Sequence, residues 1–230
     1  GYSSAASDVY KRQIVNWKKA ERWDDRTLYT LERDAFGFCL TGDMFDSYRV
    51  EARNFSIPFK DVRDSREQQT IAGIVQSVRT IAGKRGTFAV VALSDGQTTM
   101  DVLVFAKAYE NYKNMLKPDE MLIFTGKGRK DERSGGMSFV CDRVITIEEM
   151  RVSQGATLLI EVNEGAALEW LSRVLSKAQS SDVGTVFCEV SLLSKTKRAE
   201  LLLNNRYVPS DDLANQLRGV EGVISVKYSY

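Results

Sequence analysis

The residue types that most often do chemistry in proteins are scarce in this 230-residue chain, which has three cysteines and no histidine. Without histidine the chain cannot assemble a Ser-His-Asp triad, a Cys-His pair or an HExxH metal site. Cys39, Cys141 and Cys188 are too far apart for a CxxC zinc site or a disulfide framework. We therefore expect reduced core thiols, and no metal site, cofactor or catalytic residue in this chain.

The side chains that could bind a ligand are two clusters of cations with aromatic rings nearby. One cluster precedes and fills the glycine-flanked turn at residues 83–86, and the other lies between residues 127 and 133. Lys and Arg neutralise phosphates and aromatic rings stack on bases, so this pattern is typical of single-stranded nucleic-acid binding. The candidate binding residues are Arg79, Lys84, Arg85, Phe88, Lys127, Arg129, Lys130 and Arg133.

Each of these features has a structural alternative. Cationic loops are often simply solvated, and both Phe88 and Phe139, a second stacking candidate, could belong to a hydrophobic core. Basic and acidic residues nearly balance over the chain, 32 against 31. The positive charge of these loops is therefore a local concentration and not an excess over the whole chain. Nucleic-acid binding should therefore be weak and sensitive to salt.

Alternating hydrophobicity between residues 70 and 147 predicts the strands that position these clusters. The predicted strands cover 70–79, 88–93, 99–105, 120–127 and 137–147, with a helix at 106–116 between the third and the fourth. Three strands, a helix and two strands is the order of a five-stranded OB barrel, which the helix plugs. The two basic loops then flank strands two and three, where OB barrels bind their ligands.

The remainder of the chain predicts a second, smaller unit with the order β-α-β-β-α-β. Its predicted strands are 157–162, 185–192, 199–203 and 223–228, with helices at 167–178 and after Ser210, a residue placed to cap the second helix. This order suggests a two-layer α+β domain of ferredoxin-like type. Nothing in it is chemically unusual, so a protein-interaction unit is favoured.

The expected architecture is thus mainly β plus α+β, with an N-terminal helical lead-in. Residues 1–13 are small and polar and are expected to be a non-native or disordered lead-in. Residues 14–65 should hold a helix, from the spacing of Leu28, Leu31 and Ala35, and a connector on the barrel surface. The barrel is assigned to 66–150 and the α+β unit to 151–230. No membrane-spanning apolar run or secretory signal is present, which favours a cytoplasmic protein.

Three groups of motifs resemble one known family. Residues 70–75, the Lys84-Arg85-Gly86 turn, the Leu93-Ser94-Asp95 turn and residues 100–105 are similar to its A-G-x-V strand, K-R-G turn, L-x-D turn and E/D-V-x-x-F strand. Residues 31–42 resemble its E-x-x-x-L-G-F-Y-L-S/T-G segment, and residues 208–219 its V-x-P-S-D-x-L-L-x-x-L-R ending. From about Trp23 onward, the chain thus resembles the C-terminal region of the catalytic alpha subunit of bacterial DNA polymerase III.

The resemblance implies an OB domain that contacts the single-stranded template and a terminal domain that docks the tau subunit of the clamp loader. It also implies a fragment that lacks the catalytic palm and has no polymerase activity of its own. Residues 41–45 could be read as a clamp-binding pentapeptide, but the family's motif lies before the E-x-x-x-L-G segment. Sliding-clamp contact is therefore expected only through residues missing upstream.

Two other functions fit the residues alone. One is a free-standing OB module that binds single-stranded DNA or tRNA, with an interaction tail. The other is a structural adaptor whose OB face binds protein. Salt-dependent binding of oligonucleotides distinguishes the adaptor from both nucleic-acid binders.

Overall fold

Two β-sheets with surrounding helices make up the fold. The computed structural model describes residues 25–37, 39–84, 86–130, 136–181, 184–194 and 198–230. The elements in chain order are α1 (Asp25–Phe36), α2 (Arg49–Ala52), a 3-10 turn (Phe59–Asp61), β1 (Gln69–Gly83), β2 (Gly86–Ser94), β3 (Thr99–Val104), α3 (Ala106–Tyr112), β4 (Met121–Lys130), β5 (Met137–Thr146), α4 (Ile147–Ser153), β6 (Thr157–Asn163), α5 (Leu168–Ala178), β7 (Val186–Leu193), β8 (Arg198–Tyr207), α6 (Asp211–Arg218) and β9 (Val223–Ser229). Among these described elements, no helix is long and apolar enough to cross a membrane.

The first sheet is a closed barrel with the strand order β1-β2-β3-β5-β4, in which β4 returns to β1. All its pairs are antiparallel except β3 with β5. Alternate side chains along the strands, such as Val91, Leu93, Val102 and Phe124, point inward and are completely buried. The prediction of an OB barrel followed by an α+β unit is confirmed.

Strand β1 has two parts because a bulge between Val75 and Ser77 bends it. Its first part, from Gln69 to Ile74, pairs with β4 and is mostly buried. Its second part continues to Gly83, pairs with β2 and is mostly exposed. The basic turn predicted between the first two strands is therefore the tip of a long hairpin.

The connector before the barrel packs more deeply than the sequence predicts. Phe59 and Val62 are buried and belong to the barrel core. The backbone of Asp64 forms a parallel bridge with Gly128 on β4. The expectation that this segment lies on the barrel surface is wrong for these residues. The segment has no helical or strand periodicity, so its sequence does not show that single apolar side chains enter the core.

Helix α1 confirms the predicted lead-in helix, but its contact face is largely polar. Tyr29 and Glu32 are buried, whereas Leu31, one of the residues that indicated the helix, is 42% exposed. The Glu32 carboxylate accepts hydrogen bonds from the backbone of Leu40 and from both the backbone and the hydroxyl of Thr41. These polar contacts help to fix α1 against the segment that follows it.

The second sheet has the strand order β8-β7-β6-β9, and helices α5 and α6 share its core. The predicted order of elements is correct, and Ser210 caps α6 by accepting a hydrogen bond from the Leu213 backbone at 3.2 Å. The ferredoxin-like type is wrong. In that split arrangement another strand separates the two strands of the βαβ unit, whereas β6 pairs directly with β7 here. The β7–β8 hairpin consequently adds β8 at the outer edge.

One buried arginine joins the N-terminal segment, the barrel and the second sheet. Arg151 on α4 has a side chain only 3% exposed. It donates to both carboxylate oxygens of Glu51, at 2.7 and 2.9 Å, and pairs with Asp211 at 2.9 Å. It also donates to the carbonyl oxygen of Pro209, and its guanidinium lies 3.9 Å from the centre of the Tyr228 ring.

Two tyrosine hydroxyls complete this network. Tyr48 donates to Asp211 and Tyr230 donates to Glu51, each at 2.5 Å. Burial lowers the pKa of Arg151, but the hydrogen bonds of Glu51 and the charge of Asp211 outweigh it, and the pKa is raised overall. The guanidinium therefore binds only partners within the chain and holds the N-terminal segment, the barrel and the second sheet together.

Candidate nucleic-acid interface

Four of the five predicted cations that the structure describes lie on strands rather than in loops. Arg79 is on the exposed part of β1, and Lys84 follows the end of that strand. Lys127, Arg129 and Lys130 belong to β4, which extends further than predicted. All five side chains are exposed, whereas the two remaining candidates, Arg85 and Arg133, lie outside the described residues.

The strand register places two of these cations, Arg79 and Lys127, at the ends of one row on the outside of the barrel. Arg79 pairs with Val90, Val90 with Leu103, Leu103 with Val140, and Val140 with Lys127. Paired residues point to the same side of a sheet, so the five side chains form one row across all five strands. With strands about 4.8 Å apart, this row is about 19 Å long. It presents an apolar centre with a cation at each end.

An aromatic pair lies beside this row, close to the β1–β2 turn. The rings of Phe88 and Phe105 are 6.0 Å apart between centres and tilted by 43°. Phe88 is half-buried, Phe105 is 46% exposed, and Ile81 on β1 pairs with Phe88. These side chains form an apolar surface on which a nucleic-acid base could stack.

The other stacking candidate is part of the core. Phe139 is completely buried inside the barrel, opposite Val102 on β3. The core alternative is therefore correct for Phe139, and the stacking role is wrong because no ligand can reach its ring.

The electrostatics of the face leave its cations available. Arg79 contacts Asp101 at 4.0 Å with both side chains more than half exposed, and such pairs contribute about 1 kcal/mol or less. Within the described residues, the side chains of Lys84, Lys127 and Arg129 make no ion pair. An incoming phosphate would thus not have to displace a strong internal partner.

A glycine allows the β1–β2 turn to lie close to α3. Gly86 has φ +108°, a backbone conformation that other residues rarely adopt. A Cβ there would lie 3.0 Å from the Cβ of Ala106, so a larger residue would push the turn away from α3. This glycine thus helps to hold the basic turn beside the aromatic pair.

Sequence reasoning missed Phe105, Leu103 and Val140 as members of this face. The signal was present for two of them. Alternation along β3 places Met100, Val102 and Val104 inside, so Leu103 and Phe105 must point outward. Val140 could not be found from the sequence, because its position beside Leu103 depends on the pairing of β3 with β5 in the closed barrel.

The described residues hold no group of three or more His, Cys, Asp and Glu side chains that could bind a metal ion. Burial raises the pKa of the Cys141 and Cys188 thiols to about 12, so these two cysteines are core residues as expected. Cys39 is instead only half-buried. The chemistry that the face supports is binding.

The alternative reading of residues 41–45 as a clamp-binding peptide does not fit the fold. Its two apolar residues, Met44 and Phe45, are buried and pack with Ile74 and Met121 of the barrel. Side chains used in the core of the chain are not available to a sliding clamp.

Comparison with known proteins finds one family model that matches the barrel region. Residues 69–152 match the tRNA anti-codon family, described as an OB-fold nucleic acid binding domain. Among solved structures, RecG bound to a three-way DNA junction is 20% identical with a TM-score of 0.30, over 34% of this chain and 11% of that chain.

The particular protein that the whole chain resembles is the DNA polymerase III alpha subunit. The alpha subunit of Pseudomonas aeruginosa is 26% identical over 239 residues, covering 100% of this chain and 20% of its own length. That of Escherichia coli K12 is 26% identical over 223 residues, covering 94% and 19%. The resemblance found in the sequence motifs is confirmed, and the chain spans about a fifth of the length of these relatives.

Proposed function

We propose that this chain is part of a bacterial replicative DNA polymerase alpha subunit and binds single-stranded template DNA on the outer face of its barrel. The single observation that carries this proposal is the row from Arg79 to Lys127, with its apolar centre beside the Phe88–Phe105 pair. The similarity to alpha subunits along the whole chain supports the replicative role. Such a protein acts in the bacterial cytoplasm and needs a catalytic palm elsewhere for polymerisation.

The composition of the face fits a single strand better than a duplex. Unpaired bases expose their flat surfaces, which stack on aromatic rings, while cations follow the phosphates. The apolar residues of the face favour stacking without sequence preference. We therefore expect binding that tolerates many sequences.

The number of cations predicts how salt weakens binding. If Arg79, Lys84, Lys127, Arg129 and Lys130 each neutralise one phosphate, log K should fall with log salt at a slope of about −3 to −4. Fluorescence anisotropy of a labelled oligonucleotide at several NaCl concentrations measures this slope. A slope near zero would exclude DNA contact and favour the protein-binding adaptor.

A matched pair of variants tests where binding occurs. Arg79→Gln combined with Lys127→Gln removes both ends of the row and should reduce both the affinity and the slope. Lys177→Gln, a change at an exposed residue on α5 far from the row in sequence, should leave both unchanged. Equal effects of the two variants would locate binding elsewhere.

Tighter binding of tRNA than of single-stranded DNA would favour the free-standing OB module.

We further propose that the second sheet contacts the tau subunit of the clamp loader through β8. This strand is at the edge of the sheet, and its Leu201 and Leu202 are 61% and 60% exposed. Edge strands with exposed apolar residues are ready to accept a partner. Leu202→Asp should abolish binding of purified tau from the same organism, whereas Leu168→Asp on α5, at 62% exposure, should not. Unchanged binding of the Leu202→Asp variant would reject this contact.

A further inference from the structure

A small basic cavity lies between the N-terminal segment and the barrel, about 20 Å along β2 from Phe88. Its volume is about 150 Å³, and its walls come from residues 45–60 and from the β2–β3 turn at Asp95 and Gln97. Pockets that bind drug-sized ligands have roughly 300–1,000 Å³. This cavity therefore suits one small charged group rather than a whole nucleotide.

Three cations line the cavity, namely Arg49, Arg53 and Lys60. Arg49 and Arg53 are four residues apart along α2 and its C-terminal cap, a spacing at which like charges repel. The side chains of Arg53 and Lys60 are exposed and make no hydrogen bond or ion pair within the described part of the chain. Asp46 pairs with Arg49 at 2.6 Å, so an anion in the cavity would chiefly offset the positive charge of Arg53 and Lys60.

An acidic residue, Asp95, also belongs to the cavity wall, and both of its carboxylate oxygens accept hydrogen bonds. Asp95 lines the cavity, but its Oδ1 accepts backbone hydrogen bonds from Gln97 and Thr98, at 3.0 and 2.8 Å. Its Oδ2 accepts one from the backbone of Phe59 at 3.3 Å. Asp95 thus holds the turn and the connector in place, and three cations outnumber this one carboxylate among the residues that line the cavity.

Arg49 is held in a fixed position at the cavity wall. Its Nε and Nη2 donate to Oδ1 of Asp46, and its guanidinium lies 5.6 Å from the centre of the Phe45 ring. Gly96 has φ +78°, and a Cβ there would lie 2.7 Å from Nη2 of Arg49. The turn packs against this guanidinium, whose Nη1 makes no hydrogen bond within the described residues.

We propose that this cavity binds a phosphate group through Arg49, Arg53 and Lys60. Guanidinium and ammonium groups are the side chains that bind phosphate best, and the cavity has the size for one such group. The phosphate belongs either to a nucleic-acid strand that extends past the barrel face or to a free ion. The site itself does not depend on DNA binding at that face.

A titration of the full chain with inorganic phosphate tests the site directly. At constant ionic strength, adjusted with NaCl, the amide signals of Arg53, Lys60 and Gln97 in ¹⁵N NMR spectra should shift and saturate. In the double variant Arg53→Gln and Lys60→Gln the affinity should fall at least tenfold, while Lys117→Gln, another exposed lysine, should bind normally. Shifts that do not saturate, or that persist unchanged in the double variant, would overturn the proposal.

Oligonucleotides of two lengths identify the source of the phosphate. Lengths of about 6 and about 18 nucleotides lie within and beyond the site of one OB fold. If the strand supplies the phosphate, the double variant should lose several-fold affinity for the long oligonucleotide only. If it loses phosphate binding but keeps both oligonucleotide affinities, the ligand is the free ion. An unchanged thermal midpoint of the double variant would show that its fold is intact, as expected for two exposed residues.

Discussion

The cations of the barrel face and the cation at Arg151 differ in how many partners the folded chain gives them. Arg151 is 3% exposed and engages two carboxylates, a carbonyl and an aromatic ring. Lys84 and Lys127 are exposed and have no ion pair within the described residues. A cation with internal partners stabilises the fold, whereas one without them remains available to a ligand. Residue type alone does not distinguish these roles.

The largest expected effect is on stability, from Arg151→Met. Removing the guanidinium leaves Glu51 and Asp211 largely buried without their cation, which typically costs about 3–5 kcal/mol. Urea unfolding of the variant and the parent chain measures this loss. Arg151→Lys, which keeps the charge but not the two-pronged contact with Glu51, should lose less. If the free energy of unfolding of Arg151→Met changed by no more than about 0.5 kcal/mol, as for an ordinary surface residue, Arg151 would not differ from the cations of the barrel face.

The next effect is on DNA affinity, from Phe88→Ala and Phe105→Ala. A stacked base contributes about 1–3 kcal/mol, so each variant should weaken oligonucleotide binding roughly 5- to 150-fold. The slope of log K against log salt should stay unchanged because no cation is removed. Anisotropy titrations check both quantities. Phe36→Ala, which removes a ring at 59% exposure on α1, is the matched control and should have no effect.

A smaller effect is expected from Lys127→Gln alone. The slope of log K against log salt should become shallower by about 0.7, the contribution of one phosphate contact on a single strand. The free energy of unfolding should change by no more than about 0.5 kcal/mol, because this side chain is exposed. Anisotropy and urea unfolding on the same protein sample measure the two quantities. A clear loss of stability without a change in slope would show that Lys127 stabilises the fold and does not contact DNA.

The smallest effect concerns an acid that has internal partners. Burial raises the pKa of Glu32, but the hydrogen bonds from Thr41 and Leu40 outweigh it and the pKa lies below its ordinary value. The carboxylate therefore stabilises the fold above the unfolded pKa of about 4.3, and this contribution is lost as pH falls through the folded pKa. Glu32→Gln should lower the thermal midpoint at pH 7, with a difference that shrinks below about pH 4. A difference independent of pH would contradict this role.

The sequence predicts the barrel well because its strands alternate and its helix falls between the third and fourth strands. It predicts which clusters are basic but not that the second cluster lies on a strand, because the extension of β4 to Lys130 depends on pairing with β5. The insertion of Phe59 has no periodic signal. Nor could the partners of Arg151 be foreseen, because Glu51 and Asp211 are 100 and 60 positions away in the chain. Local patterns predict elements, whereas distant pairing determines the site.

The most direct test of the central claim is to map bound DNA onto the barrel. Addition of a single-stranded oligonucleotide to the ¹⁵N-labelled chain should shift the amide signals of Arg79, Val90, Leu103, Val140 and Lys127, which form one row only in this strand register. The open face of the second sheet, around Leu159 and Lys227, should not respond. Shifts confined to that sheet, or the absence of any shift at low salt, would contradict the account.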